Sequence, residues 1–446
     1  MKRCVLLILV FLFISSCAIW HKDKMIESED NGIVIVNFAE NSNLEQAGAK
    51  VQDVLWKYDG EVVYSVTQLD KLKKNVKTDM VTVELKRGDK IIVVEIPAGK
   101  LGVYLLPIPR EHDFEGDATM IEGVGKLGWG MDMDVSFFGC LTRIEELKGD
   151  NLSYSDLLVL SGYGMRTCFF DGWCPSSPDA TCGYDTGSRI LKKLGYDFDY
   201  YFLEGLVNQE EYENLDYSEI DNIRKMVMES IDAGWPVMAV DLIQVPEWGI
   251  ITGYQKGGKE LLCRTYFDQT EGYEIARKVP WVLIRIKGKK EIEIEKLYHD
   301  LLTDALPFFE IEKFENYSNG LQALQMWILD LRDEEALSLK SPDDFHETGF
   351  TNSWIYYCLT DSRTKMGDYL EENREKFGIS SEAMSTLIKL YKNEGELLQK
   401  GMQNVTGMEV QNTPETWTPE MRHNQAATLE EIKNLEIKIL EILKTI

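Results

Sequence analysis

The stretch from Gly234 to Asp268, GWPVMAVDLIQVPEWGIITGYQKGGKELLCRTYFD, constrains the fold of this chain more than any other. It predicts three strands: Pro236 to Leu242, Trp248 to Tyr254 and Glu260 to Phe267. The run Val237-Met238-Ala239-Val240 and the pair Ile250-Ile251 are apolar without alternation. That pattern belongs to strands covered on both faces inside an α/β or α+β domain. Between the second and third strands lies Gln255-Lys256-Gly257-Gly258-Lys259, whose adjacent glycines supply the positive φ angles of a tight hairpin. The stretch is therefore read as a core sheet.

One such sheet cannot organise the whole chain. Its 446 residues exceed the roughly 250 to 300 over which a single core keeps growing, so several domains are expected. The formal charge of −27 repels phosphate backbones and anionic headgroups, which argues against nucleic acid as a partner.

At the N-terminus, Lys2 and Arg3 precede an apolar run from Val5 to Ile14. The run is too short to span a hydrocarbon core of about 30 Å and has the length of a signal-peptide h-region. It ends Ile14-Ser15-Ser16-Cys17, which resembles a bacterial lipobox. The resemblance implies a signal peptide over 1–16, lipidation of Cys17 and a polar tether over 17–31. The expected location is the cell envelope, outside the cytoplasmic membrane and lipid-anchored. Ala18 and Ile19 follow Cys17, so the Asp that holds such proteins in an inner membrane is missing, which favours an outer membrane where there are two.

Export changes how the remaining cysteines are read. Cys140, Cys168, Cys174, Cys182, Cys263 and Cys358 are an even set that an oxidising compartment lets pair, and Cys174 and Cys182 are close enough for a small loop. No Cys-Xaa-Xaa-Cys pair exists and no histidine lies near this cluster, so no metal site and no cofactor are expected.

Residues 32–106 carry a detailed pattern. A strand at Ile33 to Val36 is followed by a short helix ending Ala47-Gly48, a strand from Asp53, a turn at Asp59-Gly60 and a helix from Thr67 to Asn75. Two further strands meet at Arg87-Gly88-Asp89. This resembles a PDZ domain of bacterial envelope proteins, with Gln52 where the family usually has Gly. The resemblance implies a loop, here Lys100-Leu101-Gly102-Val103, that holds the C-terminal carboxylate of a peptide or protein partner on backbone N–H groups while the peptide adds as a strand. The alternative is that the following segment occupies this edge and the module is a spacer.

A linker with two prolines, 107–119, leads to a domain over 120–290. Its Gly-Xaa-Pro strand, the Trp248-Gly249-Ile250-Ile251-Thr252-Gly253-Tyr254 strand and a strand ending in Asp268 are similar to the second half of papain-like cysteine peptidases, including the N-terminal domain of the butirosin-biosynthesis acyltransferase family. Carried over, the resemblance places the nucleophile at Cys140, opening a helix from Leu141 to Leu147, and the orienting residue at Asp268. The position of the general-base His falls on Glu247 or Trp248. No histidine lies between His112 and His299, and a thiol without a base is a poor nucleophile. Loops around Arg166, Asp171 and Trp173 either wall a pocket or cover the sheet.

From 291 to 446 helical periodicity replaces strand signals, with helices expected at Glu291 to Ala305, Asn319 to Asp330, Thr351 to Glu375, Ser380 to Lys400 and Pro419 to Leu443. The fold class is thus multidomain α+β: a PDZ-like β-barrel or sandwich module, a papain-like α+β domain and an α-helical C-terminal region. The function expected is a lipid-anchored binding or adaptor protein of the envelope. The competing expectation is a Cys140-dependent amide hydrolase or acyltransferase, with Glu247 and Asp268 beside the thiol.

Overall fold

Alternating apolar residues from Val81 to Ile96 demand a sheet with one covered face, and in the computed structural model they form one. The structure describes residues 32–38, 42–63, 66–88, 90–107, 118–203, 217–268 and 270–446. The leader, Cys17, the tether and His112 lie outside them. Packing divides the chain into two units, 1–129 with 198–288 and 130–197 with 289–446.

In the first unit, β1 (Ile33–Phe38), β2 (Val54–Tyr58), β3 (Glu61–Val62), β4 (Met80–Arg87), β5 (Lys90–Pro97) and β6 (Val103–Pro107) build a sheet in the order β5-β4-β2-β1-β6, with β3 folded onto β2. Every pairing is antiparallel. Asp59 and Gly60, at φ 51° and 83°, turn β2 into β3 as the Asp-Gly pair predicts. Leu55, Val83, Leu85, Val94 and Ile96 face a core shared with Leu44 of α1 (Asn43–Gln46) and Leu69 of α2 (Val66–Asn75). Asp53, its side chain 1 % exposed, receives Arg87 Nε and Nη2 at 2.6 and 2.7 Å, which ties the end of β4 to the start of β2.

The Gly234–Asp268 stretch forms β10 (Val237–Val240), β11 (Trp248–Gln255) and β12 (Glu260–Arg264). They lie inside a second sheet ordered β13-β12-β11-β10-β14-β9, where β9 is Tyr196–Phe202, β13 Glu274–Ile275 and β14 Val282–Lys289; β7 (Thr119–Met120) adds to β11. All four residues of β10 are buried, as the unbroken apolar run requires. Lys256, Gly257 and Gly258 all take positive φ in the β11–β12 turn. β12 stops three residues short of Phe267. There Thr265 donates its N–H and Oγ1 to Asp268 Oδ1 at 2.9 and 3.0 Å, so a side-chain turn replaces the ladder. The helix Tyr217–Asp232 (α6) covers one face through Ile223, Val227 and Ile231.

The second unit contains α3 (Ser136–Lys148), α4 (Tyr154–Leu160), α5 (Thr186–Lys193) and β8 (Cys168–Phe170). Beyond 290 follow α7 (Ile294–Thr303), α8 (Leu306–Glu310), α9 (Gly320–Arg332), α10 (Glu334–Ser338), α11 (Pro342–Glu372), α12 (Ser381–Gly401) and α13 (Pro419–Leu443). The helical expectation needs one amendment, since β15 (Lys313–Phe314) and β16 (Tyr317–Asn319) join β8 in a three-stranded sheet. Phe169 stacks on Trp327 at 6.0 Å, and both lie in a core with Tyr356, Trp417 and Leu429. Residues 130–197 therefore share their interior with the C-terminal helices.

Candidate functional site

Two peptide planes decide what the Lys100–Val103 loop offers. The Lys100 carbonyl accepts from Asn43 Nδ2 at 2.8 Å, and the Leu101 carbonyl accepts from Leu44 N and Ser42 Oγ, both at 3.2 Å. Both carbonyls are thus turned toward the N-terminal end of α1. In a trans peptide the N–H points opposite to the preceding C=O, so the amides of Leu101 and Gly102 are aimed together away from α1. Among the described residues neither amide meets an acceptor. Two successive amides on one side, followed by a residue at positive φ (Gly102, φ 72°), form a concavity suited to an anion.

The loop opens directly into β6, which pairs with β1 on one side and, among the described residues, ends the sheet on the other. Its outer edge is the place where an added strand would find backbone partners. Leu101, 3 % exposed, packs in the apolar cluster with Leu69, and Leu72, Val103 and Leu105 lie against that cluster half-buried. Gly102 is fitted closely, because a Cβ there would stand 2.6 Å from Ser42 Cα.

Cys140 is in the second unit; Glu247 and Asp268 are in the first. The expectation that Cys140 opens a helix is overturned: α3 begins at Ser136, so Cys140 is its fifth residue and is fully buried. Gly139 N already bonds to Val135 O at 3.1 Å. The unmatched amides and the positive end of the helix dipole therefore lie a turn ahead of the thiol. Phe137 and Phe138, ahead of the expected helix start, are helical and both rings are fully buried, Phe138 against Tyr154 and Tyr163.

Glu247 is half-buried in the β10–β11 connection, its backbone bonded to Asp241 and Val245. Asp268 is committed within its own turn, with Oδ2 taking Arg264 Nη1 at 2.8 Å and Oδ1 taking Thr265. Burial pushes its pKa up, against the pull of Arg264 and Thr265. Of the described histidines, His299 is exposed, His346 Nδ1 accepts from Asn412 N at 3.1 Å, and His423 faces Glu334 at 3.5 Å.

Sequence reasoning placed Arg166 only in a loop that walls a pocket or covers the sheet, and it missed two further polar centres of the second unit, at Arg363 and Asp361. Arg166, 4 % exposed, donates to the carbonyls of Ser177, Asp179, Cys182 and Tyr184 and so pins the Cys-rich loop. The six cysteines are thiols, with Cys174 in contact with Ser176 Oγ at 2.9 Å and Ser176 with Tyr317 at 2.8 Å. Burial pushes the Cys168 thiol up to about 11. Arg363 is fully buried between Glu436 and Glu394, at 2.5 and 3.3 Å, and also donates to the carbonyls of Gly164, Met165 and Arg166. Asp361, pushed up to about 6 by burial against the pull of Lys365, lies beside Tyr154. A cavity of about 20 Å³ among Tyr163, Arg166, Cys168, Trp327 and Ser362 has room for a water rather than a substrate. Among the described residues no helix is long and apolar enough to cross a membrane, and no group of three His, Cys, Asp or Glu is set to hold a metal ion.

No protein-family model matches the chain, and no curated protein gives a significant match.

Proposed function

We propose that this chain is a lipid-anchored binding or adaptor protein of the bacterial envelope. In this reading its N-terminal module, which resembles a PDZ domain, takes the C-terminal end of a peptide or protein. The observation that carries the reading is the pair of amides at Leu101 and Gly102, which meet no acceptor among the described residues and stand at the head of β6. The carboxylate sits on those amides, the last few residues add beside β6, and the terminal side chain rests against the cluster around Leu69 and Leu101. A charge-assisted bond from each amide supplies the preference for a free carboxylate. Burial of Cys140 well inside α3 weighs against the competing hydrolase or acyltransferase reading.

Fluorescence anisotropy with a library of short peptides randomised at the C-terminus tests this, each peptide paired with its C-terminal amide. The expected result is a subset that binds as the acid and at least tenfold more weakly as the amide. No binding by any peptide, or equal binding of acid and amide, would sink the proposal.

A further inference from the structure

We infer that the opposite edge of the same sheet, β5, joins two copies of this chain through an isologous antiparallel pairing centred on Ile92. Among the described residues β5 is the other end strand of the sheet, and its sequence Ile91-Ile92-Val93-Val94 carries no charge at its centre. Edges of this kind are ordinarily blunted by an inward charge, a central lysine or a bulge, and an unprotected one is a template for another strand.

The register follows from the bonds already made. Ala98 N donates to Asp79 O, and Ala98 lies opposite Asp79 in the β4–β5 ladder. Antiparallel bonding alternates, so the backbone groups of Ile96, Val94 and Ile92 also face β4, while those of Ile91, Val93 and Glu95 face outward. Pro97, which has no N–H to offer, falls on the outward set, as an edge permits. A two-fold axis through Ile92 then sets Ile91 opposite Val93 of the second copy, and Val93 opposite its Ile91, so the outward N–H and C=O groups of these two residues are used on both copies.

The side chains agree with this register. Ile91 and Val93 are 55 % and 60 % exposed. The pairing places them against one another and away from charge. On β4, Lys86 stands beside Ile91 and Glu84 beside Val93. Each row across the joined sheets therefore reads lysine, isoleucine, valine, glutamate, with opposite charges at its ends and no like charges facing. On the covered side, half-buried Ile92 meets its own copy and extends the apolar core across the axis. Residues 32–106 hold ten Lys and Arg against ten Asp and Glu, so this module brings none of the chain's −27 to the contact. A two-fold pairing of one edge with itself closes at two copies.

Sedimentation of the full chain, with detergent present to keep its apolar leader in solution, is expected to give two chains per particle. Val93→Lys, at a side chain that lies mostly outside the core, is expected to halve that mass while leaving the far-ultraviolet spectrum and melting temperature in place. In a second measurement, Ile91→Cys and Val93→Cys proteins carrying different tags are mixed and oxidised. The mixed cross-link is expected to exceed either self-cross-link by severalfold, because only positions 91 and 93 stand directly opposite. A single-chain mass for the unmodified protein, an open-ended assembly, a dimer indifferent to Val93→Lys, or equal cross-linking of all combinations would each overturn the inference.

Discussion

The backbone of Gly102 approaches that of Ser42 so closely that a methyl group on Gly102 would stand 2.6 Å from the Ser42 Cα. Gly102 also holds φ at 72°, where an L side chain is strained. Gly102→Ala is therefore expected to destabilise the N-terminal sheet by more than about 1 kcal/mol and to move the Leu101 and Gly102 amides out of line. Chemical unfolding measures the first effect. Loss of acid-over-amide preference in the peptide assay measures the second, and a variant that keeps that preference would separate the loop from carboxylate recognition.

Asp53 ties acid sensitivity to the same sheet. Burial pushes its carboxyl up, but the Arg87 guanidinium and the Lys50 amide outweigh it and hold the pKa below the ordinary value. A depressed carboxylate adds stability above the unfolded-state pKa, near 4, and that stability is lost as pH falls through the folded value. Tryptophan fluorescence of Trp56 is expected to report loosening of this sheet below about pH 4. Asp53→Asn, which removes the carboxylate charge and one of the two oxygens that accept from Arg87, is expected to cost about 1–3 kcal/mol at neutral pH and to flatten the acid limb.

In the helical unit the sign reverses. Glu394 is fully buried, neither of its carboxylate oxygens accepts a hydrogen bond from the protein, and burial together with the charge of Glu436 pushes its pKa well above the ordinary value despite Arg363. Glu436, held by Arg363 at 2.5 Å, is pushed up by burial as well, against the pull of Arg363. A carboxyl whose pKa is raised on folding favours the folded state below its unfolded pKa, near 4.5, and that advantage is lost as pH rises through the folded value. Glu394→Gln is thus expected to raise the melting temperature at pH 8 and to leave it unchanged at pH 4. A drop at pH 8 would mean that Glu394 is ionised beside Arg363.

Arg166 makes bonds to four carbonyls that a lysine cannot span from one point. Arg166→Lys is expected to cost about 3 kcal/mol, since buried carbonyls lose charged donors. Limited proteolysis should locate the damage between 171 and 185, and cleavage elsewhere would show that the loop holds itself.

Where local chemistry fixes an element, the sequence discloses it. α13 spans Pro419 to Leu443 as read, because Thr418 caps it, Pro419 suits its first turn and its apolar residues recur on one face. α11 begins at Pro342 rather than Thr351. Its early turns look irregular because Gly349 is kept small for a close neighbour, Asn412, rather than for a bend. The burial of Cys140 was hidden because aromatic residues at 137 and 138 suit strand and helix alike until their packing partners are known. Arg363, Glu394 and Glu436 come from three helices, and no spacing in a linear text announces that they meet.

Phe169 lying flat on Trp327 has a consequence for anyone who would excise the helical tail. Residues 291–446 expressed alone would leave the indole and its neighbours bare where 130–197 had shielded them. The practical boundary of that body is a pair of segments, and a gene fragment for it has to join them rather than stop at one.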